Sequence, residues 1–510
     1  MGIEHYLPEL DPLSRAFLAA FLLAGVAAMM YLRSLHRNVM VTVMAIGFIA
    51  SAVGVVVARD FLSFLVAWEL SVLLACCLIV HDRRPASFAV AYRYFLIQIA
   101  GGVSLFLAIC FHYVATGSLE LASPSPRAVP FFLMAFIIKA AVVPLHVWVP
   151  MTYPNVPPAI AVILSVYSTK IGVYAFARLL PGTHAIAYAG AFMALFGVVM
   201  ALRQTTARRL LSYHLVSQVG YMLVGIGLGT ELGIAAGVSH MMNHVQYKAL
   251  LFMATGAVVH RLGTDALNKV AGAGRAMPVT FFGAMVGAAA IAGVPPLNGY
   301  VSKTLLKAAT EGHTVLQMAL LLAGVGTALS FTKFIWRLFL QETPSRQPTT
   351  PPPAEMPMGA CLGMILLALA CIAQGVLYPR FFPMAHDTES VSIHGVGAVL
   401  SSAAIVLAGM TLFALFEMAK RLLANRGATR SIRTARNRPT RSAASARKIS
   451  SRQTTETVPT PWDVDRVYAW LLKRLLQASH ATARHARDET QAYLLAIVCL
   501  AVALIGFLAW

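Results

Sequence analysis

Long apolar runs that contain single ionisable side chains constrain this chain more than any other feature. Runs such as residues 61–80 and 232–260 are long enough for a helix to cross the roughly 30 Å hydrocarbon layer of a membrane. A charge there costs at least about 2.5 kcal/mol, so it persists only where a partner, water or a function holds it. The side chains of this kind are Glu69, Lys139, Lys170, His240, His244, Lys248 and Lys303.

The composition excludes a soluble enzyme. Of the 510 residues, 58% are hydrophobic and only 12% are charged, which leaves too little polar surface to cover a core in water. The first apolar run, residues 13–32, lacks a basic leader and a small-residue cleavage site, so we expect a retained span. The sequence therefore predicts an all-α membrane protein with about 14 transmembrane helices.

The cysteines give no sign of a metal site or a cofactor. All of them lie in apolar runs without paired metal-type spacing, so we interpret them as buried hydrophobic residues. No glycine-rich nucleotide loop and no iron–sulfur cysteine set is evident either. The six cysteines are Cys76, Cys77, Cys110, Cys361, Cys371 and Cys499.

Positive charge alternates between the two sides of the predicted spans. The net charge is +20, but lysine and arginine concentrate in loops after odd-numbered spans, as at Arg33, Arg83 and Arg203, so we expect no nucleic-acid partner. The positive-inside rule makes these loops cytoplasmic and both termini external. The spans are near 13–32, 39–57, 61–80, 89–113, 129–150, 157–179, 184–202, 212–230, 232–260, 278–308, 315–340, 357–378, 396–420 and 490–509.

Six parts follow along the chain. A basic stretch without acids begins at Lys420, and we predict a linker near anionic lipid headgroups, with docking to an acidic partner protein as the alternative. Apolar residues at helical spacing after Pro461 predict an interfacial helix. The parts are an N-terminal span (1–38), a first inverted repeat (39–180), a second (184–340), two C-terminal spans (357–420), a basic cytoplasmic linker (421–461), and the interfacial helix with a final span (462–510).

Proline interrupts the fourth span of each predicted five-span repeat. The interruptions are PLHVWVP at 144–150 and GVPPLNG at 293–299, and each removes a backbone donor and breaks the helix near mid-membrane. Because five is odd, the second repeat is inverted relative to the first, as in many secondary transporters. The alternative to an inverted repeat is that the two proline kinks are unrelated. His146, Trp148 and Tyr153 lie at the first break, where water access and packing are equally good interpretations.

A ladder of ionisable groups runs along one predicted helix. His240, His244 and Lys248 are spaced at i, i+4 and i+8, which places them on one face over about 12 Å of helix. Imidazole changes charge near neutral pH and both donates and accepts protons. Hydrogen-bonded core residues are the alternative for a single histidine, but three such groups on one stripe favour proton transport.

Glu69 and Lys139 are the candidate acid–base pair. Glu69 lies in the middle of its run, and Lys139 lies five residues before Pro144. When such a pair is close, each charge stabilises the other, and separation in a low dielectric favours the neutral forms, so the pair can act as a switch. A static ion pair is the alternative. Lys170 and Lys303 supply further amines along the route.

The residues at these positions resemble the antiporter-like subunits of respiratory complex I, membrane-bound hydrogenases and multisubunit cation/proton antiporters. The match covers roughly residues 40–340 in the right order. The resembling segments are AWELS at 67–71, KAAVVPLHVWVP at 139–150, PPAIAVILSVYSTKIGVYAFAR at 157–178, LLSYHLVSQVGYMLVGIGLG at 210–229, HMMNHVQYKALLFMATGAVVH at 240–260 and GVPPLNGYVSK at 293–303.

The resemblance implies alternating half-channels joined at mid-membrane by lysines and histidines. It makes Glu69 the membrane glutamate and Lys139 its partner, and it places Lys170 and the ladder of two histidines and a lysine between them and the terminal Lys303. Lysine at 170 together with lysine at 303 is similar to the D-type antiporter subunit. Met151 replaces the acid that usually follows the first break, and residues 10–21 resemble the family's third helix, so two preceding spans are expected to be absent.

The leading functional hypothesis is a proton-translocating subunit of a multisubunit cation/proton antiporter, with Na⁺ as the exchanged cation. Such a subunit would have no catalytic chemistry of its own. Its partners would be other membrane subunits, and we expect it in a bacterial or archaeal-type cytoplasmic membrane. One alternative is the pumping arm of a complex I-like or hydrogenase complex. Another is a proton-gradient-coupled membrane partner of an inorganic-carbon uptake complex.

Overall fold

The computed structural model confirms the all-α class. It describes residues 10–270, 272–341, 354–382, 384, 388 and 391–436. These residues form helices and no named strand, and the only β-type pairings among them are isolated bridges, Asp60 with Glu120 and Thr206 with Ala266.

Seventeen α-helices occur in the described part of the chain. The first ten are α1 (Pro12–Leu35), α2 (Val39–Val57), α3 (Phe61–Val80), α4 (Pro85–Thr116), α5 (Val129–Lys139), α6 (Trp148–Thr152), α7 (Pro158–Leu179), α8 (His184–Leu202), α9 (Ala207–Leu228) and α10 (Glu231–Leu262). The others are α11 (Ala273–Ala276), α12 (Pro278–Ala292), α13 (Asn298–Ala309), α14 (Thr314–Ile335), α15 (Met358–Val376), α16 (Tyr378–Phe381) and α17 (Val396–Arg436). A short 3₁₀ turn, Tyr153–Asn155, follows α6, and a π-helical turn, Trp336–Leu340, follows α14.

Ten of the described helices are long and apolar enough to cross a membrane. The chain is therefore a multi-pass membrane protein, as its composition predicts. The count of 14 spans and the inverted repeat stay predictions. The last described helix, α17, continues to Arg436 and so includes the first residues of the predicted basic linker. The rest of that linker (437–461) and the predicted interfacial helix and final span (462–510) lie outside the described residues.

Capping side chains define several helix ends. Asp11 and Asp60 accept hydrogen bonds from the backbone N–H groups of Ser14 and Ser63 and begin α1 and α3. Gly117 ends α4 with a φ of 71°, a left-handed conformation that favours glycine. These capping residues can be recognised in the sequence, and they mark the starts of α1 and α3 and the end of α4.

Both proline breaks are present. Helix α5 ends at Lys139 and α6 begins only at Trp148, and α12 ends at Ala292 before α13 begins at Asn298. Backbone carbonyls released by each break are bonded by side chains. The Trp148 indole N–H donates to the carbonyl of Ile138 at 3.0 Å, and the Lys303 ammonium donates to the carbonyl of Ile291 at 2.6 Å.

The centre of the molecule consists of helices that are buried on all sides. The membrane-length stretches of α7 and α9 are wholly buried, and α10 packs against α1, α7, α9, α12, α13 and α15. Helices such as α2 and α3 keep one apolar face exposed, as expected for helices that face lipid. Side chains on α7, α9 and α10 are therefore shielded from lipid, which is where polar groups are tolerated in a membrane protein.

Candidate functional site

The seven predicted side chains lie on helices α3, α5, α7, α10 and α13. Five of them are no more than 1% exposed, and they are Lys139, Lys170, His240, His244 and Lys248. Glu69 and Lys303, at the two ends of the series, are partly accessible. In the described residues, no three His, Cys, Asp or Glu side chains are grouped as a metal site would require.

Glu69 and Lys139 interact electrostatically but form no ion pair. The Lys139 ammonium donates to the Ser71 hydroxyl at 3.1 Å and lies 5.0 Å from the centre of the Trp68 ring. Oε1 of Glu69 is buried without a hydrogen-bond partner among the described residues, and its carboxylate lies against Gly102 of α4. The Ser71 hydroxyl is therefore the group that the Lys139 ammonium contacts directly.

Lys170 is bonded within its own helix. Its ammonium donates to the carbonyl of Ser165 at 2.8 Å and to the hydroxyl of Thr169 at 3.3 Å. It also interacts electrostatically with His244 and Lys248 across the α7–α10 contact. Lys170 thus links α7 to the ladder on α10.

The two ends of the α10 ladder differ in their hydrogen bonds. His240 has polar neighbours, whereas His244 and Lys248 have no hydrogen-bond partner among the described residues. His240 lies 3.0 Å from the Ser302 hydroxyl through Nδ1 and 3.2 Å from Oε1 of Gln218 through Nε2. Its ring is 6.5 Å from that of His244. Both ring nitrogens of His244 and the ammonium of Lys248 are buried without a hydrogen-bond partner in the described part of the chain. Buried polar atoms of this kind normally bind water.

A cavity of about 780 Å³ reaches Lys303. Its walls come from α9, α13, α14 and α17, and they include Tyr221, Thr304, Ser401 and Ser402. Lys307, which is exposed and donates to Ser401 at 2.9 Å, marks the outer part of the cavity. Lys303 therefore lies between the buried ladder and a cavity that opens at the protein surface.

The residues at the first break mainly stabilise it. Trp148 bonds to the Ile138 carbonyl, and the Tyr153 hydroxyl donates to the carbonyl of Leu164 at 3.1 Å. The buried His146 ring packs 5.0 Å from the ring of Phe196 on α8. Nδ1 of His146 also lies 3.2 Å from the Pro144 carbonyl, so this ring has both a polar and an aromatic neighbour where the break meets α8.

Sequence reasoning missed His214 and Gln218 on α9. Both are completely buried. His214 bonds through Nε2 to the Ser330 hydroxyl at 2.8 Å, and Gln218 accepts from His240. Their i, i+4 spacing, continued by Tyr221, places them on one helix face, and this is the signal that could have identified them.

Comparison with known proteins gives a consistent result. Residues 58–330 match the family described as NADH:quinone oxidoreductase/Mrp antiporter, TM. The chain is 29% identical over 317 residues to a D-type Na(+)/H(+) antiporter subunit of Alkalihalophilus pseudofirmus, covering 58% of this chain and 64% of that protein. It is 28% identical over 386 residues to hydrogenase-4 component B of Escherichia coli, covering 66% and 57%. The chain thus spans less than two thirds of these relatives.

Two solved structures are similar to this chain. The Mrp complex from Dietzia sp. DQ12-45-1b matches with a TM-score of 0.67 and 22% identity, over 78% of this chain and 86% of that chain. An archaeal membrane-bound sulfane sulfur reductase complex matches with a TM-score of 0.72 and 23% identity, over 98% and 89%. At these identities, the similarity establishes a common fold.

Proposed function

The chain belongs to the NADH:quinone oxidoreductase/Mrp antiporter transmembrane family, and from this membership we propose that it is a proton-translocating subunit of a multisubunit membrane complex. We propose that the complex exchanges protons for Na⁺, because its relatives include two kinds of Na(+)/H(+) antiporter subunit, the D type and the A type. The partners are other membrane subunits, as in the two similar structures, which are both complexes.

The observation that carries the proposal is the row of buried ionisable groups between Glu69 and Lys303. Among the residues that the structure describes, hydroxyls, carbonyls and aromatic rings contact the lysines of this row, and no carboxylate forms an ion pair with them. The row contains four lysines and one carboxylate, Glu69. Charging all four lysines at once is costly in a low dielectric, so only some of them carry the extra proton at a time. Protons that move from group to group satisfy this condition.

The two ends of the row differ in their access. Glu69 lies on a helix with one lipid-facing side, whereas Lys303 borders the cavity. We propose that this cavity is the half-channel that exchanges protons with the side where α13 ends. By the positive-inside rule this is the external side of a prokaryotic cytoplasmic membrane, where both chain termini also lie. The basic stretch after Lys420 then lies on the cytoplasmic side near lipid headgroups.

The test is proton flux in proteoliposomes that contain the complete complex, followed with a pH-sensitive dye. Glu69→Gln removes the ionisable group with little change in volume, and we expect loss of flux with normal assembly. Glu120→Gln, at an exposed acid in the loop after α4, is the matched control and keeps the flux. Undiminished flux in Glu69→Gln would exclude Glu69 from the mechanism.

Lys303→Ala tests the other end of the row. We expect this change to block proton exchange with the cavity, while Lys307→Ala, one turn away on the exposed part of the wall, retains flux. Normal turnover of Lys303→Ala would show that the path ends elsewhere.

A redox-driven pump is the second candidate function, because the relatives also include an NADH-quinone oxidoreductase component of Desulforudis audaxviator and a hydrogenase component. The two candidates differ in the driving force. Uptake of ²²Na⁺ that depends on an imposed pH difference supports the antiporter. Proton movement that requires an electron donor, without ²²Na⁺ uptake, supports the pump.

A further inference from the structure

His214 is a buried histidine outside the predicted row, and within the described part of the chain it has a polar partner at only one of its two ring nitrogens. It lies on α9 and is completely buried. Its Nε2 atom is 2.8 Å from the Ser330 hydroxyl of α14. Lys248, Lys303 and Lys333 interact with it electrostatically. Its ring packs 4.7 Å from the ring of Phe331. A phenylalanine would fill the same volume without desolvating polar atoms, so packing alone does not explain an imidazole here.

Two unpartnered polar atoms lie one helical turn apart at this site. Nδ1 of His214 and Nε2 of Gln218 are both buried, and neither has a hydrogen-bond partner in the ranges that the structure describes. Leaving such atoms unbonded costs about 1–3 kcal/mol each, so buried polar groups normally bind a protein group or water. Because residues i and i+4 share a helix face, one water molecule can bond to both side chains.

On one side this pair connects to the α10 ladder. Oε1 of Gln218 lies 3.2 Å from Nε2 of His240 and 3.5 Å from the Tyr247 hydroxyl. Because an amide oxygen only accepts, Nε2 of His240 carries the proton in this arrangement, and Nδ1 faces the Ser302 hydroxyl. Gln218 therefore sets the orientation of the His240 ring.

On the other side the chain of polar groups continues toward the surface. Lys333 follows Ser330 by one turn of α14. Its ammonium donates to the backbone carbonyls of Leu202 and Gln204, at 2.8 and 2.9 Å, where α8 ends. Lys333 is partly exposed, so the polar line from His214 reaches the edge of the protein at the α8–α9 connection.

The geometry points to a proton branch that joins the α8–α9 connection to the row through Ser330 and His214, with Gln218 as a positioning residue. This branch rests on the proposed function, because it feeds the same row. His214 takes up a proton at Nε2 from the Ser330 hydroxyl, which regains one from the side of the α8–α9 connection. It releases a proton from Nδ1 to the water that bonds Gln218, so that the ring returns to its neutral form. The amine of Lys248, which has no hydrogen-bond partner among the described residues, then accepts this proton from the water. The Ser330 hydroxyl both donates and accepts, which suits a relay.

The test uses the complete complex in proteoliposomes and compares Ser330→Ala, His214→Gln and the double variant. We expect each single change to lower proton flux by about a hundredfold, the lower end of the usual effect of losing a proton-transfer group. The double variant should be no slower than the slower single variant, because both residues serve one route. Ser330→Thr, which keeps the hydroxyl, should restore flux.

Ser217→Ala is the control, since this buried serine of α9 donates to the Ala194 carbonyl at 2.9 Å and lies off the route. Wild-type flux in both single variants, with flux abolished in Glu69→Gln, would overturn the branch and leave the proposed function standing. Additive losses, or losses that accompany reduced thermal stability, would overturn it in favour of a structural role. Absence of flux in the wild-type complex would overturn the proposed function and the branch with it.

Discussion

The carboxylate of Glu69 occupies the space that a side chain at Gly102 would fill. A Cβ atom built at position 102 of α4 overlaps Oε1 of Glu69 and approaches its Cδ to 2.6 Å. Glycine at this position therefore lets the carboxylate enter the contact between α3 and α4. Gly102 therefore helps to determine the position of the Glu69 carboxylate.

Gly102→Ala is expected to displace the Glu69 carboxylate and to reduce proton flux strongly while the complex still assembles. The control is Gly101→Ala on the same helix, whose added methyl would meet Ile138 Cγ2 at 3.3 Å, a contact that a small shift relieves. Both changes raise helix propensity equally, so propensity cannot explain a difference between them. Equal flux in the two variants would show that the position of Glu69 does not depend on Gly102.

Much of this architecture is predictable from the sequence, because lipid imposes strong rules. The apolar runs give the helices, and the prolines give the two breaks at residues 140–147 and 293–297. Helical spacing places His240 and His244 near each other, as their ring separation of 6.5 Å shows. These features depend on local sequence alone.

Contacts between helices that are distant in sequence are less predictable. Lys139 donates to Ser71 of α3 rather than to Glu69, which lies two residues earlier in α3. The direction in which the Lys139 side chain crosses the α3–α5 contact determines which of the two it meets. His214 appears in the sequence as a lone histidine in an apolar run. Only the packing of α9 against α10 and α14 shows that it lies near the row.

An ion pair between Asp11 and Arg178 links the start of α1 to the end of α7. The guanidinium is 2.5 and 2.9 Å from the two carboxylate oxygens. Burial alone would raise the pKa of Asp11, but the hydrogen bonds from Arg178 and Ser14 outweigh it and lower this pKa from 3.8 to about 2. The pair therefore stabilises the folded state above about pH 4, and this contribution is lost as the pH falls from 3.8 toward 2.

Asp11→Asn is accordingly expected to lower the melting temperature of the purified protein at pH 7. The loss should be at most about 1 kcal/mol, because the carboxylate is partly exposed and screened by solvent. The difference from wild type should shrink as the pH falls below 4. Asp60→Asn is the comparison and should have a smaller effect, since Asp60 caps α3 through its contacts with Ser63. A difference that is constant with pH would contradict the assignment to the charge on Asp11.

Glu355 caps the first half of the second broken helix from a distant part of the chain. Its carboxylate accepts the backbone N–H groups of Val279 and Thr280 at 2.8 and 3.2 Å, and the Thr280 hydroxyl at 2.6 Å. These are the first free donors of α12, because Pro278 has no N–H. The negative charge also complements the positive end of the helix dipole.

Glu355→Ala is expected to destabilise the protein by about 1–2 kcal/mol, the usual cost of losing a helix cap. Hydrogen exchange at the amides of Val279 and Thr280 should increase, as these donors lose their acceptor. Glu355→Gln keeps an acceptor oxygen without the charge and should have a smaller effect. An alanine variant with wild-type melting temperature and exchange would show that other groups satisfy this helix end.

The cavity beside Lys303 offers a direct test of water access. Thiols react with water-soluble maleimides as thiolates, and these form readily only in contact with water. Ser401 of α17 lines the cavity and accepts a hydrogen bond from Lys307, whereas Leu407, on the same helix, is 61% exposed on the apolar surface. If water fills the cavity, Ser401→Cys should be labelled by an impermeant maleimide, and Leu407→Cys should resist labelling in lipid vesicles.

The labelling should also depend on the side of the membrane. We expect an impermeant reagent to reach Ser401→Cys only from the side where α13 ends, and the modified protein to lose proton flux because the bulky adduct blocks access to Lys303. The native cysteines are controlled by treating the unsubstituted protein in parallel. Equal labelling of Ser401→Cys and Leu407→Cys, or full flux after modification, would mean that protons leave Lys303 by another route.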